Sequence, residues 1–154
     1  MKRITIAFDS FKGSLSSHDV GVAFAEGWRS QMPETEFQHF VVADGGEGTT
    51  EALVEAMAGE YRRVVVHDPL GRSVEAVYGV VDDGATAIVD VATASGLTLL
   101  TAEERNPMVA SSYGTGELMA KAVESGCRRI YVGLGGSATN DAGVGMLEAL
   151  GFRF

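Results

Sequence analysis

The spacing of apolar positions changes along the chain, and its first part predicts two strand-loop-helix units. Residues 4–8 and 37–43 form short apolar runs that are typical of buried strands. After the first run, Val20, Phe24 and Trp28 recur at every fourth position, which places them on one face of a predicted helix. Each unit has a polar loop between the strand and the helix.

Local signals predict where these helices begin and end. Ser16 and Asp19 have the spacing of a capping box, which predicts that the first helix begins at Ser16. Gly59 follows the apolar positions of the second helix and is the expected C-terminal cap, because glycine readily adopts the left-handed conformation that caps require. Pro33 is expected to end the first helix.

From residue 60 the spacing changes to that of strands. Apolar runs at 63–67, 74–81 and 85–91 are separated by segments typical of a type I turn and a hairpin. After residue 106 the chain returns to strand-loop-helix patterns. We therefore divide it into segments 1–59, 60–106 and 107–154.

The repeated strand-loop-helix pattern predicts the α/β fold class. We expect an open, mainly parallel sheet with helices on both faces, similar to Rossmann or flavodoxin folds. The β-rich segment 60–106 is expected to be a β-meander insertion that belongs to a second α/β subdomain. In open α/β sheets, ligands bind outside the carboxyl ends of the strands, so the loops that follow the strands are the candidate functional sites.

Composition narrows the choice of function. The 154 residues contain 12 Lys and Arg against 21 Asp and Glu, a net charge of −9, which disfavours a nucleic-acid partner. A single cysteine excludes an intrachain disulfide, and no apolar run is long enough to span a membrane. We therefore expect a cytoplasmic protein. Its 20 glycines indicate several sharp turns or close backbone approaches.

The loop at 135–141, with sequence GGSATND, has the richest candidate chemistry. Two glycines let the backbone approach a ligand, and the N–H groups that open the next helix can bind an anion. The carboxylate of Asp141 is suited to Mg²⁺ on a phosphate, although Thr139, Asn140 or Asp141 could equally be a helix cap. The segment GLGGSA at 133–138 also fits a dinucleotide-binding pattern, so an oxidoreductase domain is an alternative.

Three other loops carry similar chemistry. DGGEGT at 44–49 places Asp44 and Glu47 among glycines, either as helix-end electrostatics or as ligands of Mg²⁺ or of a substrate hydroxyl. DSFKGS at 9–14 contains Lys12, which could neutralise a transferring phosphoryl group or remain a solvated surface lysine. SSYGTGE at 111–117 is rich in hydroxyls and glycine and could bind an anion or simply form a turn.

Together, these four loops resemble the signature loops of the type 1 glycerate kinases. The resemblance extends from Lys2 to the last residue, although members of that family are much longer, so the chain corresponds to their N-terminal part. It departs from the family pattern at Phe8, Asp90 and Ala142, where proline, glutamate and glycine are common. Asp90 is one methylene shorter than glutamate, which makes a direct ligand contact from this position less certain.

The resemblance implies ATP-dependent phosphoryl transfer to a hydroxyl of D-glycerate, with Mg²⁺, in a cleft between two α/β domains. It implies Lys12, Asp44 and Asp141 as catalytic residues, and Asp44, Glu47 and Asp141 as metal ligands. The expected assembly is a homodimer. A ligand-binding fragment without catalysis is a third alternative. The expected substrate- and phosphate-binding residues are Asp9, Ser10, Gly45, Gly46, Glu47, Ser111, Ser112, Thr115, Gly135, Gly136, Ser137, Thr139 and Asn140.

Overall fold

The computed structural model describes residues 2–11, 14–46 and 48–154. By its internal contacts the chain forms two compact units, Met1–Asp44 and Gly45–Phe154. The division of the sequence into segments 1–59, 60–106 and 107–154 stays a prediction.

The first unit is a single β-α-β element. Strand β1 is Arg3–Phe8, helix α1 is Ser17–Arg29 and strand β2 is Glu36–Val41. The two strands are parallel, with Ile6 opposite His39, as expected when a helix connects neighbouring strands. This arrangement places the loops after β1 and β2 at the same end of the pair.

Helix α1 begins as its sequence predicts. The Ser16 hydroxyl accepts a hydrogen bond from the Asp19 backbone N–H at 3.1 Å, which confirms the cap. Val20 is buried, but Phe24 and Trp28 remain 38% and 37% exposed. Two strands about 4.8 Å apart are too narrow to cover a helix about 10 Å wide, so these larger rings are only partly covered.

The second unit contains a four-stranded sheet and most of the helices. Its strands lie in the order β3, β4, β5, β6; the first two pairs are antiparallel and the last is parallel. Its elements are α2 (Thr49–Ala56), β3 (Glu60–His67), β4 (Ser73–Val81), β5 (Thr86–Asp90), α3 (Ala92–Ser95), α4 (Tyr113–Glu124), β6 (Arg129–Gly133) and α5 (Val144–Ala149).

The α/β class is confirmed, and the sheet of this unit is mixed. Strand β4 pairs antiparallel with both β3 and β5. The assignment of these strands to an insertion within a second subdomain stays a prediction. Because β3, β5 and β6 run in the same direction, their carboxyl ends at His67, Asp90 and Gly133 lie along one edge. The loops after β5 and β6 are therefore neighbours.

Helices cover both faces of this sheet. Leu118 of α4 is fully buried in a cluster with Ala87 and Val89 of β5. Val54 of α2 packs against Ile88, the intervening residue of the same strand. Alternate residues of a strand point to opposite faces, so α2 and α4 lie on opposite sides. Burying a leucine of this kind stabilises the fold by about 1.5–3 kcal/mol.

The end of α2 differs from the sequence-based expectation. Ala58, not Gly59, has the left-handed conformation, at φ 51°, and the Gly59 N–H donates to the Val54 carbonyl at 2.8 Å. Gly59 is required for another reason: a Cβ there would collide with the backbone of Val80. The predicted cap is therefore wrong by one residue.

Within the described part of the chain, no helix has both the length and the apolar character needed to cross a bilayer.

Candidate functional site

A cavity of about 300 Å³ opens in the second unit beside the carboxyl ends of β5 and β6. Val91, directly after β5, and Leu134, directly after β6, contribute to its walls. The cavity brings together polar residues that the sequence predicted from two separate loops, at 111–117 and 135–141. These are Ser112, Thr115, Ser137, Thr139, Asn140 and Asp141.

Asp141 is held by a dense set of hydrogen bonds. Its Oδ2 accepts from the backbone N–H and the hydroxyl of Ser112, both at 2.8 Å, and from the Gly145 N–H at 3.2 Å. Its Oδ1 accepts from the Gly143 N–H at 3.1 Å. Burial acts to raise the pKa of Asp141, but the hydrogen bonds from Ser112, Gly143 and Gly145 outweigh it and the pKa is lowered. Asp141 is therefore ionised at neutral pH.

The same contacts join the starts of two helices. The buried Ser112 hydroxyl donates to Asp141 and accepts from the Met146 N–H at 2.9 Å. The Tyr113 N–H donates to the Ser111 hydroxyl at 3.2 Å. Asp141 thus supplies the negative charge that the N-terminus of α4 favours. Part of the donor set that a phosphate would need at this helix is already used inside the protein.

The glycines of the segment 111–117 serve close packing. A Cβ on Gly114 would collide with the His67 carbonyl, and one on Gly116 would collide with the Met146 carbonyl. Thr115 is fully buried, and its hydroxyl pairs with that of Ser95 at 2.8 Å. This predicted loop is therefore the first turn of α4, packed tightly against β3 and α5.

A second close backbone approach joins the loop at 44–49 to the loop after β6. The Gly135 N–H donates to the Gly45 carbonyl at 3.0 Å, and a Cβ on Gly135 would collide with the Cα of Gly46. Gly136 has φ +74°, a conformation that glycine adopts most readily. Gly45, Gly46 and Gly135 thus form one tightly packed glycine junction.

The polar side chains beyond this junction face one another. The hydroxyls of Ser137 and Thr139 hydrogen-bond at 2.8 Å, and the Ser137 hydroxyl also accepts from the Thr139 N–H at 3.1 Å. The Ala138 N–H donates to the Ser95 carbonyl at 2.9 Å, which fixes the loop to the end of α3. Asn140, the next residue but one, is exposed.

Asp90, at the end of β5, has a different environment. It is 4% exposed; its Oδ2 accepts from the Thr50 N–H at 3.1 Å, and its Oδ1 has no hydrogen-bond partner within the described part of the chain. Burial raises the pKa of Asp90, while the N–H groups at the start of α2 act in the opposite direction. A Cβ on Gly133 would lie 3.0 Å from Oδ1, so glycine is needed beside it.

The remaining predicted residues belong to the first unit or lie outside the described residues. Asp9 Oδ1 accepts from the Ser10 N–H at 2.7 Å, and Asp44 is exposed. Lys12 and Glu47 lie outside the described residues. Among residues 2–11, 14–46 and 48–154, no three His, Cys, Asp or Glu side chains form a group that could hold a metal ion.

Comparison with known proteins shows the same family that the four loops resemble. The sequence model of the Glycerate kinase family matches residues 4–154. The chain belongs to this family. It is 50% identical over 151 residues to a glycerate 2-kinase of Escherichia coli K12, and 46% identical over 151 residues to a glycerate kinase of Bacillus subtilis 168. Each alignment covers 98% of this chain and 40% of the relative.

A solved structure supports the fold. The match, from Salmonella typhimurium LT2 and provisionally described as glycerate kinase 2, has a TM-score of 0.78 and 46% identity. It covers 98% of this chain and 41% of the other chain. The chain therefore spans about 40% of the length of the glycerate kinases it matches.

The dinucleotide alternative loses its geometric basis. In that motif the glycines lead directly into a helix whose N-terminus holds the pyrophosphate. Here α5 begins only at Val144, six residues after Ala138. Ala142, where the family commonly has glycine, has φ 52°, a left-handed conformation that costs about 1–2 kcal/mol for a residue with a side chain.

The apolar part of the cavity was not foreseen. Val91, Leu134 and Met146 contribute to its lining, and local spacing indicates only ordinary core or loop positions for them. The one signal in the sequence is Leu134, an apolar residue between two glycines at the end of a strand. It is 69% exposed and contributes to the cavity lining.

Proposed function

We propose that this protein acts in glycerate phosphorylation, with the γ-phosphate of ATP transferred to a hydroxyl of D-glycerate. One observation carries the proposal: the chain matches the glycerate kinase family over 4–154, and the family-like loops at 111–117 and 135–141 converge on one cavity. The chain spans about 40% of the length of these relatives.

Phosphoryl transfer depends mainly on positioning and on neutralising charge, so it needs few reactive side chains. We assign charge neutralisation to Lys12. Asp44, Glu47 or Asp141 would hold Mg²⁺ or orient the accepting hydroxyl, since carboxylate oxygens suit this ion. Oδ2 of Asp141 already accepts three hydrogen bonds, so a metal at Asp141 would bind through Oδ1, which accepts one.

Mg²⁺ is compatible with a small donor set. This ion commonly uses one or two protein carboxylates, with phosphate and water oxygens completing its coordination. The exposed carboxylate of Asp44 is one such donor. When bound, the ion would neutralise phosphate charge, which a chain with net charge −9 requires. A cytoplasmic location and a homodimer stay predictions.

The test measures ADP formed from Mg-ATP and D-glycerate in a coupled assay. We expect Lys12→Ala to lower kcat/KM at least about tenfold, a loss of about 1.4 kcal/mol of transition-state stabilisation. Lys121→Ala is the matched control, because Lys121 forms an exposed ion pair with Glu124 on α4, and it should leave the rate unchanged. EDTA should abolish turnover.

Two outcomes would contradict the proposal. ATP binding without ADP formation would favour the ligand-binding alternative. Fluorescence titration showing that NADH binds while ATP does not would favour the oxidoreductase alternative. Equal kcat/KM for the Lys12 and Lys121 variants would remove Lys12 from the mechanism.

A further inference from the structure

The charge of the cavity beside Asp141 limits what it can bind. Its lining, as far as the structure describes it, includes no Lys, Arg or His, whereas Asp141 contributes a carboxylate. Four hydrogen bonds from Ser112, Gly143 and Gly145 hold this carboxylate in place. A phosphate or a carboxylate placed here would be repelled, with no lining cation to compensate.

The backbone donors at the start of α4 are also engaged. The N–H groups of Ser112 and Gly145 donate to Asp141, and the Tyr113 N–H donates to Ser111. Helix α5 has only six residues and offers no separate anion site. The carboxylate of Asp141 thus takes the place that an external anion would occupy.

The groups that remain suit a neutral ligand with hydroxyls and an apolar face. Oδ1 of Asp141 accepts one hydrogen bond, and a carboxylate oxygen can accept a second. Ser137 and Thr139, whose hydroxyls pair with each other, also line the cavity, while Val91, Leu134 and Met146 offer apolar contact. D-glycerate fits poorly, because its carboxylate is bonded directly to the carbon that carries its 2-hydroxyl.

We propose that this cavity receives the nucleoside part of the nucleotide, with a ribose hydroxyl donating to Oδ1 of Asp141 and the base against Leu134. The inference rests on the proposed function, which supplies ATP as the nucleotide. It differs from the sequence-based expectation that Ser137, Thr139 and Asn140 bind phosphate or the substrate carboxylate. An acidic side chain that accepts ribose hydroxyls is a known solution in α/β nucleotide sites.

The test compares adenosine with tripolyphosphate by isothermal titration calorimetry of the 154-residue chain in EDTA. Adenosine should bind without metal, and Leu134→Asp should weaken it about tenfold or more, because it places a charge against the base. Val109→Asp is the matched control: Val109 is 60% exposed in a loop and does not line the cavity. The affinity of the Val109→Asp variant for adenosine should equal that of the parent chain. Circular dichroism verifies that both variants fold.

A ligand variant tests the hydroxyl contact without changing the protein. Adenosine lacking its 2′ and 3′ hydroxyls should bind about fivefold more weakly or worse. Equal binding of the two nucleosides, or unchanged adenosine binding to Leu134→Asp, would overturn the inference. So would binding of tripolyphosphate without adenosine. Failure of adenosine binding alongside ADP formation from ATP and D-glycerate would reject this assignment and leave the proposed function standing.

Discussion

Asp90 ends β5 and Asp141 lies in the segment after β6; the carboxyl ends of these two strands share one edge, yet the surroundings of the two carboxylates differ. Asp141 accepts four hydrogen bonds from Ser112, Gly143 and Gly145. Oδ2 of Asp90 accepts from the Thr50 N–H, and within the described part of the chain its Oδ1 has no hydrogen-bond partner. The pKa of Asp141 is lowered and that of Asp90 is raised. Burial is the largest influence on both pKa values; at Asp141 the hydrogen bonds outweigh it, whereas at the more deeply buried Asp90 they do not.

The difference separates two functions of an acid at a helix start. Asp141 joins α4 and α5 and presents a negative charge to the cavity, where it can accept from a ligand. Asp90 fixes the start of α2 beneath the glycine junction of Gly45, Gly46 and Gly135. The first is therefore suited to binding and the second to positioning.

The largest expected effect comes from Asp141→Ala. It would leave the N–H groups of Ser112, Gly143 and Gly145 and the Ser112 hydroxyl without this acceptor. Because these contacts are only part-buried, water can replace some of the lost acceptor, so we expect a total loss of about 3 kcal/mol, below the sum that a fully buried site would lose at about 1–3 kcal/mol per group. For a domain of this size that lowers Tm by about 6–12 °C. Thermal and urea denaturation measure it.

Asp141→Asn is the matched control, because it retains one acceptor oxygen and the shape of the side chain, and should lose less. Since the folded-state pKa of Asp141 is lowered, its stabilisation is present above the ordinary value of 3.8 and is lost as pH falls through the lowered pKa. The difference between parent and Asn variant should therefore shrink in acid. A penalty of the same size at every pH would contradict the role of the charge.

A smaller effect of opposite sign is expected for Asp90→Asn. Asn can still accept from the Thr50 N–H, and it removes the unpaired charged oxygen, so we expect a gain of up to about 1 kcal/mol at neutral pH. That corresponds to a Tm increase of about 2–4 °C. Asp90→Ala is the control: it removes the acceptor and should lower Tm.

The stability gained by Asp90→Asn should depend on pH in the opposite direction to the effect at Asp141. The folded-state pKa of Asp90 is raised, so ionisation costs stability as pH rises from the ordinary value of 3.8 through the raised pKa. The advantage of Asp90→Asn should disappear below that range. A loss of stability at neutral pH would show that the charged form of Asp90 is needed for folding.

Features specified by nearby residues could be predicted from the sequence. The cap formed by Ser16 and Asp19 depends on two residues three positions apart, and the α/β class follows from repeated local patterns. The four loops were identified by their composition, and the two that line the cavity do meet. The helix cap, the fold class and the candidate loops could therefore be predicted from local sequence.

Features that depend on distant contacts could not be predicted. Ser112 binds Asp141 across 29 positions, and no local spacing reveals that this contact uses the donors at the start of α4. Gly59 and Gly114 are fixed by the backbone of Val80 and His67, elements that meet only after folding. The unpaired oxygen of Asp90 likewise reflects tertiary burial.

The most direct test of the difference between Asp141 and Asp90 is a carboxyl-carbon NMR titration of this chain, with and without ATP. The account predicts that Asp141 titrates below the ordinary value of 3.8 and that its signal shifts when the nucleotide is added. Asp90 should titrate above that value. Titration of Asp141 at or above the ordinary value, with no response to ATP, would contradict both its ionised state and its place in the binding site.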